Sequence, residues 1–133
     1  MKQDSGSILN VASSAAFQPG PLMATYYATK AYVLRLTEGI YGELRKKKSN
    51  VYIGCLCPGP VDTEFNDVAN VKFQLKGLDS SMVALYAINK MEKKKLVIIP
   101  GKLMKLNVLL NRFIPRKILL RIAYHIQRSK LEK

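Results

Sequence analysis

Ser7-Ile8-Leu9-Asn10-Val11-Ala12-Ser13, entered after Gly6 and left through small residues, is a short apolar run of the kind that forms a buried parallel strand, with Ser13 at its carboxyl end. Phe17-Gln18-Pro19-Gly20-Pro21 reads as a loop from its Pro and Gly content, and Leu22 to about Lys46 as one long helix. On that helix Tyr26, Lys30 and Val33 fall close to one face, while Leu34, Leu36, Ile40 and Leu44 supply apolar contacts. The basic run Arg45-Lys46-Lys47-Lys48 suits the partial negative charge of a helix C-terminus. Val51-Tyr52-Ile53-Gly54-Cys55-Leu56-Cys57 is the next strand, stopped by Pro58-Gly59-Pro60. Strand, long helix and strand make a βαβ unit, a right-handed crossover with both strands parallel in one sheet.

Outward from this unit the pattern is less regular. Val61 to about Leu78 has mixed polarity and no sustained period, which predicts a loop with one short helix at most. Asp79 or Ser80 can cap a helix running to about Lys94, followed by a strand at Leu96-Val97-Ile98-Ile99 and a turn at Pro100-Gly101. Two amphipathic helices, about 102–113 and 115–128, finish the chain, with Pro115 near an N1 position. The fold class expected is α/β, a partial doubly wound parallel sheet of three strands near Ile8, Ile53 and Val97 with flanking helices.

At 133 residues the chain fits one domain with a modest core. Its net charge of +13 raises the question of anionic partners, but the excess is concentrated after Lys90, where only Glu92 and Glu132 oppose it. No finger, recognition-helix signature or aromatic platform accompanies the charge, so nucleic acid is not expected as a partner. Cys55 and Cys57 alternate with Leu56 and are expected on opposite faces of their strand, as buried small hydrophobes and not a disulfide. No metal cluster can be built around them or around His125, which reads as a packed or surface residue on the last helix. There is no secretory segment and no apolar stretch of about 18 residues, which points to a cytoplasmic chain that does not span a membrane.

Tyr26 and Lys30 stand one helical turn apart and share a face. The spacing alone carries little, because Tyr86 and Lys90 repeat it on another expected helix with nothing else to suggest chemistry there. Context separates the two. Tyr26 follows a strand ending in Ser13 and a Pro/Gly loop, so serine and tyrosine can converge beyond the carboxyl ends of the strands, where open α/β sheets bind their ligands.

Gly6-Ser7-Ile8-Leu9-Asn10-Val11-Ala12-Ser13-Ser14, then Tyr26-Tyr27-Ala28-Thr29-Lys30-Ala31, then Pro58-Gly59-Pro60-Val61-Asp62-Thr63 together resemble the pattern of the short-chain dehydrogenases/reductases, in order and in spacing. The resemblance covers about residues 6 to 65 and loosens toward Gly101. It implies a Rossmann-like fold and hydride transfer between NAD or NADP and an alcohol/carbonyl pair. By the same resemblance Tyr26 is the acid/base, Lys30 holds the nicotinamide ribose and Ser13, preferred over Ser14, holds the substrate oxygen. A phenol with its usual pKa of about 10 is a poor base at neutral pH. The resemblance therefore requires it to be shifted down by the lysine ammonium, the helix N-terminus and an oxidised nicotinamide. Pro58, Gly59, Val61 and Thr63 resemble the segment that lines the nicotinamide, with Gly59 permitting close backbone approach.

The Gly-rich turn that receives the pyrophosphate in this family cannot be written from the glycines present, and the Asn-Asn-Ala-Gly strand is also missing. The resemblance thus implies the C-terminal part of a nucleotide-binding domain, about 1–101 as sheet and catalytic helix and about 102–133 as basic terminal helices. A fragment of this kind is expected to be inactive without the other half. Apolar residues such as Phe17 and Leu22 suit a hydrophobic carbonyl or alcohol substrate, and a homo-oligomer is expected. The alternative is a non-catalytic module, binding a partner subunit or an anionic membrane through those terminal helices, whose apolar residues alternate with basic ones.

Overall fold

The computed structural model describes residues 3–63 and 77–131. Three parallel strands, β1 (Ser7–Val11), β2 (Tyr52–Leu56) and β3 (Val97–Ile98), lie in the order β1-β2-β3. Register runs from Ser7 opposite Tyr52 to Val11 opposite Leu56, and Leu56 pairs in turn with Ile98. The helix α1 (Ala24–Lys46) crosses from β1 to β2, and α2 (Ser80–Glu92) precedes β3. Two more, α3 (Lys102–Leu110) and α4 (Arg116–Leu131), follow it. Most of the expected loop between Val61 and Leu78 lies outside the described residues.

β2 is buried along its whole length because both faces are covered, the condition that makes central parallel strands read as continuous apolar runs. Val51, Ile53, Cys55 and Cys57 face α1, where Leu34 and Leu44 meet them. Leu56 faces the other way, onto Val83 and Ala87 of α2. Gly54 shares that second face, and its missing side chain is what lets Tyr52 lie across it and donate to the Lys95 carbonyl at 2.7 Å. A methyl at Gly54 would stand 2.0 Å from the Tyr52 hydroxyl oxygen.

The cysteines correct one expectation. Residues two apart on a strand share a face, and Cys55 and Cys57 lie side by side with sulfur atoms 3.8 Å apart. Both are free and fully enclosed. Their contact and burial push the Cys57 thiol far above its usual range. Only the thiolate is an effective nucleophile. Because both sulfur atoms are enclosed, neither cysteine should react with a thiol-specific alkylating reagent in the native state at neutral pH, and both should react together in denaturant. Rapid native labelling, counted by mass spectrometry, would contradict this packing.

β1 differs from expectation too. It is parallel, but Ile8 and Val11 are 47% and 56% exposed, because among the described residues the strand pairs only with β2. Leu36 on α1 is likewise exposed, turned away from the sheet. α1 begins at Ala24 because Leu22 takes a φ of 67°, outside the helical range. The terminal helix starts at Arg116, with Pro115 just outside it and its carbonyl accepting from Ile118 and Leu119.

Ahead of β1, Asp4 ties the N-terminal segment to the turn between α1 and β2. Its carboxylate accepts from the Ser49 hydroxyl at 2.5 Å and from the Asn50 backbone and side chain. The Ser49 bond, then the Asn50 backbone N–H, holds the Asp4 pKa below its ordinary 3.8. A depressed carboxylate contributes stability that is present above its ordinary pKa and lost as pH falls through the lower folded value. Protection of the Asn50 amide, the slowing of its exchange relative to an unstructured amide at the same pH, should fall below about pH 4, and Asp4→Asn should show that lower protection already at pH 7. Unchanged protection in the variant would show that the carboxylate does not hold the turn.

Candidate active site

The site is built where the parallel strands end. Sheet-like bonding continues past β1, since Ala12 donates to Leu56 O and Ser14 to Pro58 O, each at 2.8 Å, which holds the chain after β1 beside the Pro58 turn. Ser13 is extended and caps the short 3-10 turn Ser14–Phe17. Its hydroxyl oxygen accepts from Ala15 N at 3.2 Å, and the hydroxyl donates to Pro58 O at 3.5 Å. The 3-10 turn replaces the start of the expected loop, and buries Ala15 and Ala16 against the sheet.

Tyr26 lies in the first turn of α1 and is half-buried. Lys30, one turn on, places its Nζ 5.8 Å from the centre of the Tyr26 ring and 3.5 Å from the Val11 carbonyl at the end of β1. An ammonium carries three donors, so this one long contact leaves hydrogen-bonding capacity at the strand end. Tyr86 and Lys90 reproduce the local pairing, with Nζ 5.3 Å from the ring centre. Their surroundings differ: the Tyr86 hydroxyl accepts from Lys105 of α3 at 2.9 Å, and its ring packs on the Leu56, Val83, Ala87 and Ile98 cluster on the opposite face of the sheet from α1.

The neighbouring phenol is occupied otherwise. Tyr27 accepts a hydrogen bond from Gln127 of α4, and its ring fills the space over Gly20, where an added methyl would come within 2.1 Å. Burial raises the Tyr27 pKa despite hydrogen bonds to Gln18 and Gln127, so this phenol is held neutral. Gln18 in turn accepts from Asn111, at the end of α3, at 2.7 Å. The loop before α1 is thus fastened to the end of α3, and the first turn of α1 to α4. No local signal marked Gln18, Asn111 or Gln127, since each bond joins residues about a hundred positions apart.

Behind the site, Asn10 donates to the Thr37 hydroxyl at 2.9 Å, and Thr37 donates to Val33 O at 2.7 Å. Thr37 is completely buried, and this chain of bonds satisfies it while locking α1 against β1. On the other side of Ser13, Gly59 opens an apolar cleft of about 250 Å³ lined by Pro60, Leu78, Pro100, Leu103 and Met104. The Met104 methyl occupies the place of a Gly59 side chain, 2.4 Å from where a Cβ would stand. Gly59 therefore permits close approach by a side chain of α3. Val61 is held by a bridge to Leu78, whereas Thr63 is exposed. Among the described residues no group of His, Cys, Asp or Glu could hold a metal ion.

Residues 1–72, more than half of the chain, match the sequence profile described as short chain dehydrogenase. The chain belongs to the short-chain dehydrogenase family. Among its relatives, the bovine dehydrogenase/reductase SDR family member 11 is 39% identical over 66 residues, which are 48% of this chain and 26% of that protein. An uncharacterized oxidoreductase of Staphylococcus aureus (strain USA300) is 33% identical over 90 residues, 66% of this chain and 38% of its own length. A Burkholderia cenocepacia short-chain dehydrogenase solved with NADP superposes with a TM-score of 0.71 at 27% identity, covering 90% of this chain and 47% of that one. A Sphingobium yanoikuyae short-chain dehydrogenase solved with NADPH gives a TM-score of 0.65 at 30% identity, covering 73% and 38%. The chain thus spans about a quarter of the bovine relative, and the three parallel strands with flanking helices are part of the family's Rossmann-like fold.

Proposed function

We propose that Ser13, Tyr26 and Lys30 form the proton-transfer site of an NAD(P)-dependent oxidoreductase acting on an alcohol or carbonyl. The reading is carried by one juxtaposition. The Ser13 hydroxyl and the Lys30 ammonium meet the ends of adjacent parallel strands, at Pro58 O and Val11 O, with Tyr26 one helical turn from the lysine. A ligand beyond the strand ends would face all three side chains. Tyr27, held neutral and bonded to Gln127, is the poorer candidate for proton transfer.

In this reading the bound nicotinamide supplies or accepts the hydride. Lys30 binds its ribose hydroxyls with N–H donors beyond the one directed at Val11 O. Pro58 and Gly59 offer backbone to the carboxamide side, and Val61 and Thr63 extend the same wall. Ser13 orients the substrate oxygen. In reduction, the Tyr26 O–H bond breaks as its proton passes to the carbonyl oxygen, and the phenolate left behind regains a proton from water. Oxidation of the alcohol runs the same steps backward. NADP or NAD fits this arrangement, and relatives solved with NADPH and NADP support that choice of coenzyme class.

The domain reading belongs to the same proposal: residues up to about 101 carry the sheet and α1, and those from about 102 to 133 form basic terminal helices. Nicotinamide-dependent ketone reduction should be absent when this chain is assayed alone. It should appear when a dinucleotide-binding half from a family member is placed before it. Turnover lacking in both would sink the catalytic reading.

Exposed Ile118, Ile122 and Ile126 on α4 and Leu103, Leu106 and Phe113 around α3 favour a second reading beside the first, a surface for a partner subunit or an anionic membrane. Among the described residues no helix is long and apolar enough to cross a membrane.

A further inference from the structure

We propose that α3 and the turn after it dock on an anionic membrane surface, with the apolar cleft beside Gly59 opening toward the lipid. α3 packs inward through Met104 and Val108. Outward it presents Leu103, Leu106 and Leu110, spaced three and four apart and therefore on one stripe, with Phe113 just beyond. Leu103 is 84% exposed and Phe113 78%, while Leu106 and Leu110 are each about half exposed. Such a row of large apolar groups in water is costly unless something covers it.

Charge selects the cover. No Asp or Glu stands between Glu92 and Glu132, Lys102 and Arg112 bracket the apolar stripe in sequence, and Lys105 beside it reaches the Tyr86 hydroxyl of α2. A second copy of the chain would bring the same cations and be repelled. A nucleic acid would neutralise the cations but leave the leucines and Phe113 exposed. An anionic bilayer satisfies both, phosphates meeting the basic side chains and the headgroup–acyl boundary receiving the apolar ones.

Leu103 ties this surface to the cleft, because the same side chain both lines the space beside Gly59 and leads the exposed stripe. Docked this way, the cleft takes an apolar carbonyl or alcohol directly from the bilayer. That delivery step rests on the catalytic reading above. Docking does not, and is measured without turnover.

The chain contains no tryptophan, so Leu106→Trp, checked for native helicity by circular dichroism, reports from one position. With vesicles of phosphatidylcholine containing phosphatidylserine, its emission should shift to shorter wavelength and be quenched by brominated acyl chains. Tryptophan placed on the basic face of α4, as in Arg121→Trp, should not respond. Co-sedimentation of the unaltered chain should fall with added salt and be absent for pure phosphatidylcholine. Lys102→Gln with Arg112→Gln should weaken vesicle binding about thirtyfold, at roughly a tenfold loss per 1.4 kcal/mol and about 1 kcal/mol per cation. No binding to anionic vesicles overturns the proposal, as does binding in which the Leu106→Trp variant's emission is neither shifted nor quenched. Binding to duplex DNA without binding to vesicles also overturns it.

Discussion

Tyr26→Phe is expected to lower kcat for nicotinamide-dependent ketone reduction by about a thousandfold, within the range that a positioned acid/base contributes. The substitution removes one oxygen and keeps the ring. The edge-on contact with Tyr27, with ring centres 5.9 Å apart, and the Lys30 ammonium over the ring both have a phenyl group to meet. Folding should therefore be little changed, and the loss should fall on kcat and not on coenzyme binding. Tyr86→Phe is the internal control, since Tyr86 and Lys90 share the spacing and the geometry but lie on α2, where the Tyr86 hydroxyl accepts from Lys105. Steady-state kinetics of both variants, in the chain joined to a dinucleotide-binding half, should show a collapse for Tyr26→Phe and near-native turnover for Tyr86→Phe. Equal effects would mean that the local pair, and not its placement beside Ser13, is what matters.

Leu34→Ala should give the largest loss of stability among single substitutions in α1, about 3 kcal/mol. Leu34 is completely buried and packs with Ala12, Ala16, Cys55 and Cys57 between α1 and the sheet. Its small neighbours are already close to the backbone, so they cannot extend to fill the space a leucine leaves. The cavity would therefore persist, and its cost adds to the lost transfer of the side chain from water. Ala12 and Ala16 flank Ser13 in sequence, so the same cavity loosens the segment that carries the serine. Urea unfolding followed by circular dichroism should show a lower midpoint with unchanged slope. A loss below about 1 kcal/mol would indicate that the alanines collapse inward and that this cluster is not a close-packed core.

The βαβ unit was legible because its signals are local. Apolar runs bounded by Gly and Pro marked β1 and β2, and Asp79 announced α2 by capping Met82 N at 2.8 Å. The pairing of Tyr26 with Lys30 was legible for the same reason, being one turn of a helix. The face assignment of Cys55 and Cys57 failed on a matter of period, since alternation with Leu56 puts them together and not apart. The exposure of Ile8 and Val11 could not be read from their own segment, because burial of a strand depends on what pairs with its second edge. Met104 over Gly59, Gln127 on Tyr27 and Asn111 on Gln18 were hidden for a further reason. Contacts across tens of residues leave no periodic trace, yet these determine how the terminal helices close over the site.

Hydride transfer at the Ser13–Tyr26–Lys30 site is tested most directly by isotope transfer. The chain joined to a dinucleotide-binding half is incubated with an apolar ketone and NADPH deuterated at C4 of the nicotinamide, and the alcohol is analysed by mass spectrometry. Deuterium at the carbinol carbon in the unaltered protein, lost in Tyr26→Phe under conditions where that variant still binds NADPH, is the predicted result. Deuterated alcohol formed at an undiminished rate by Tyr26→Phe would contradict it.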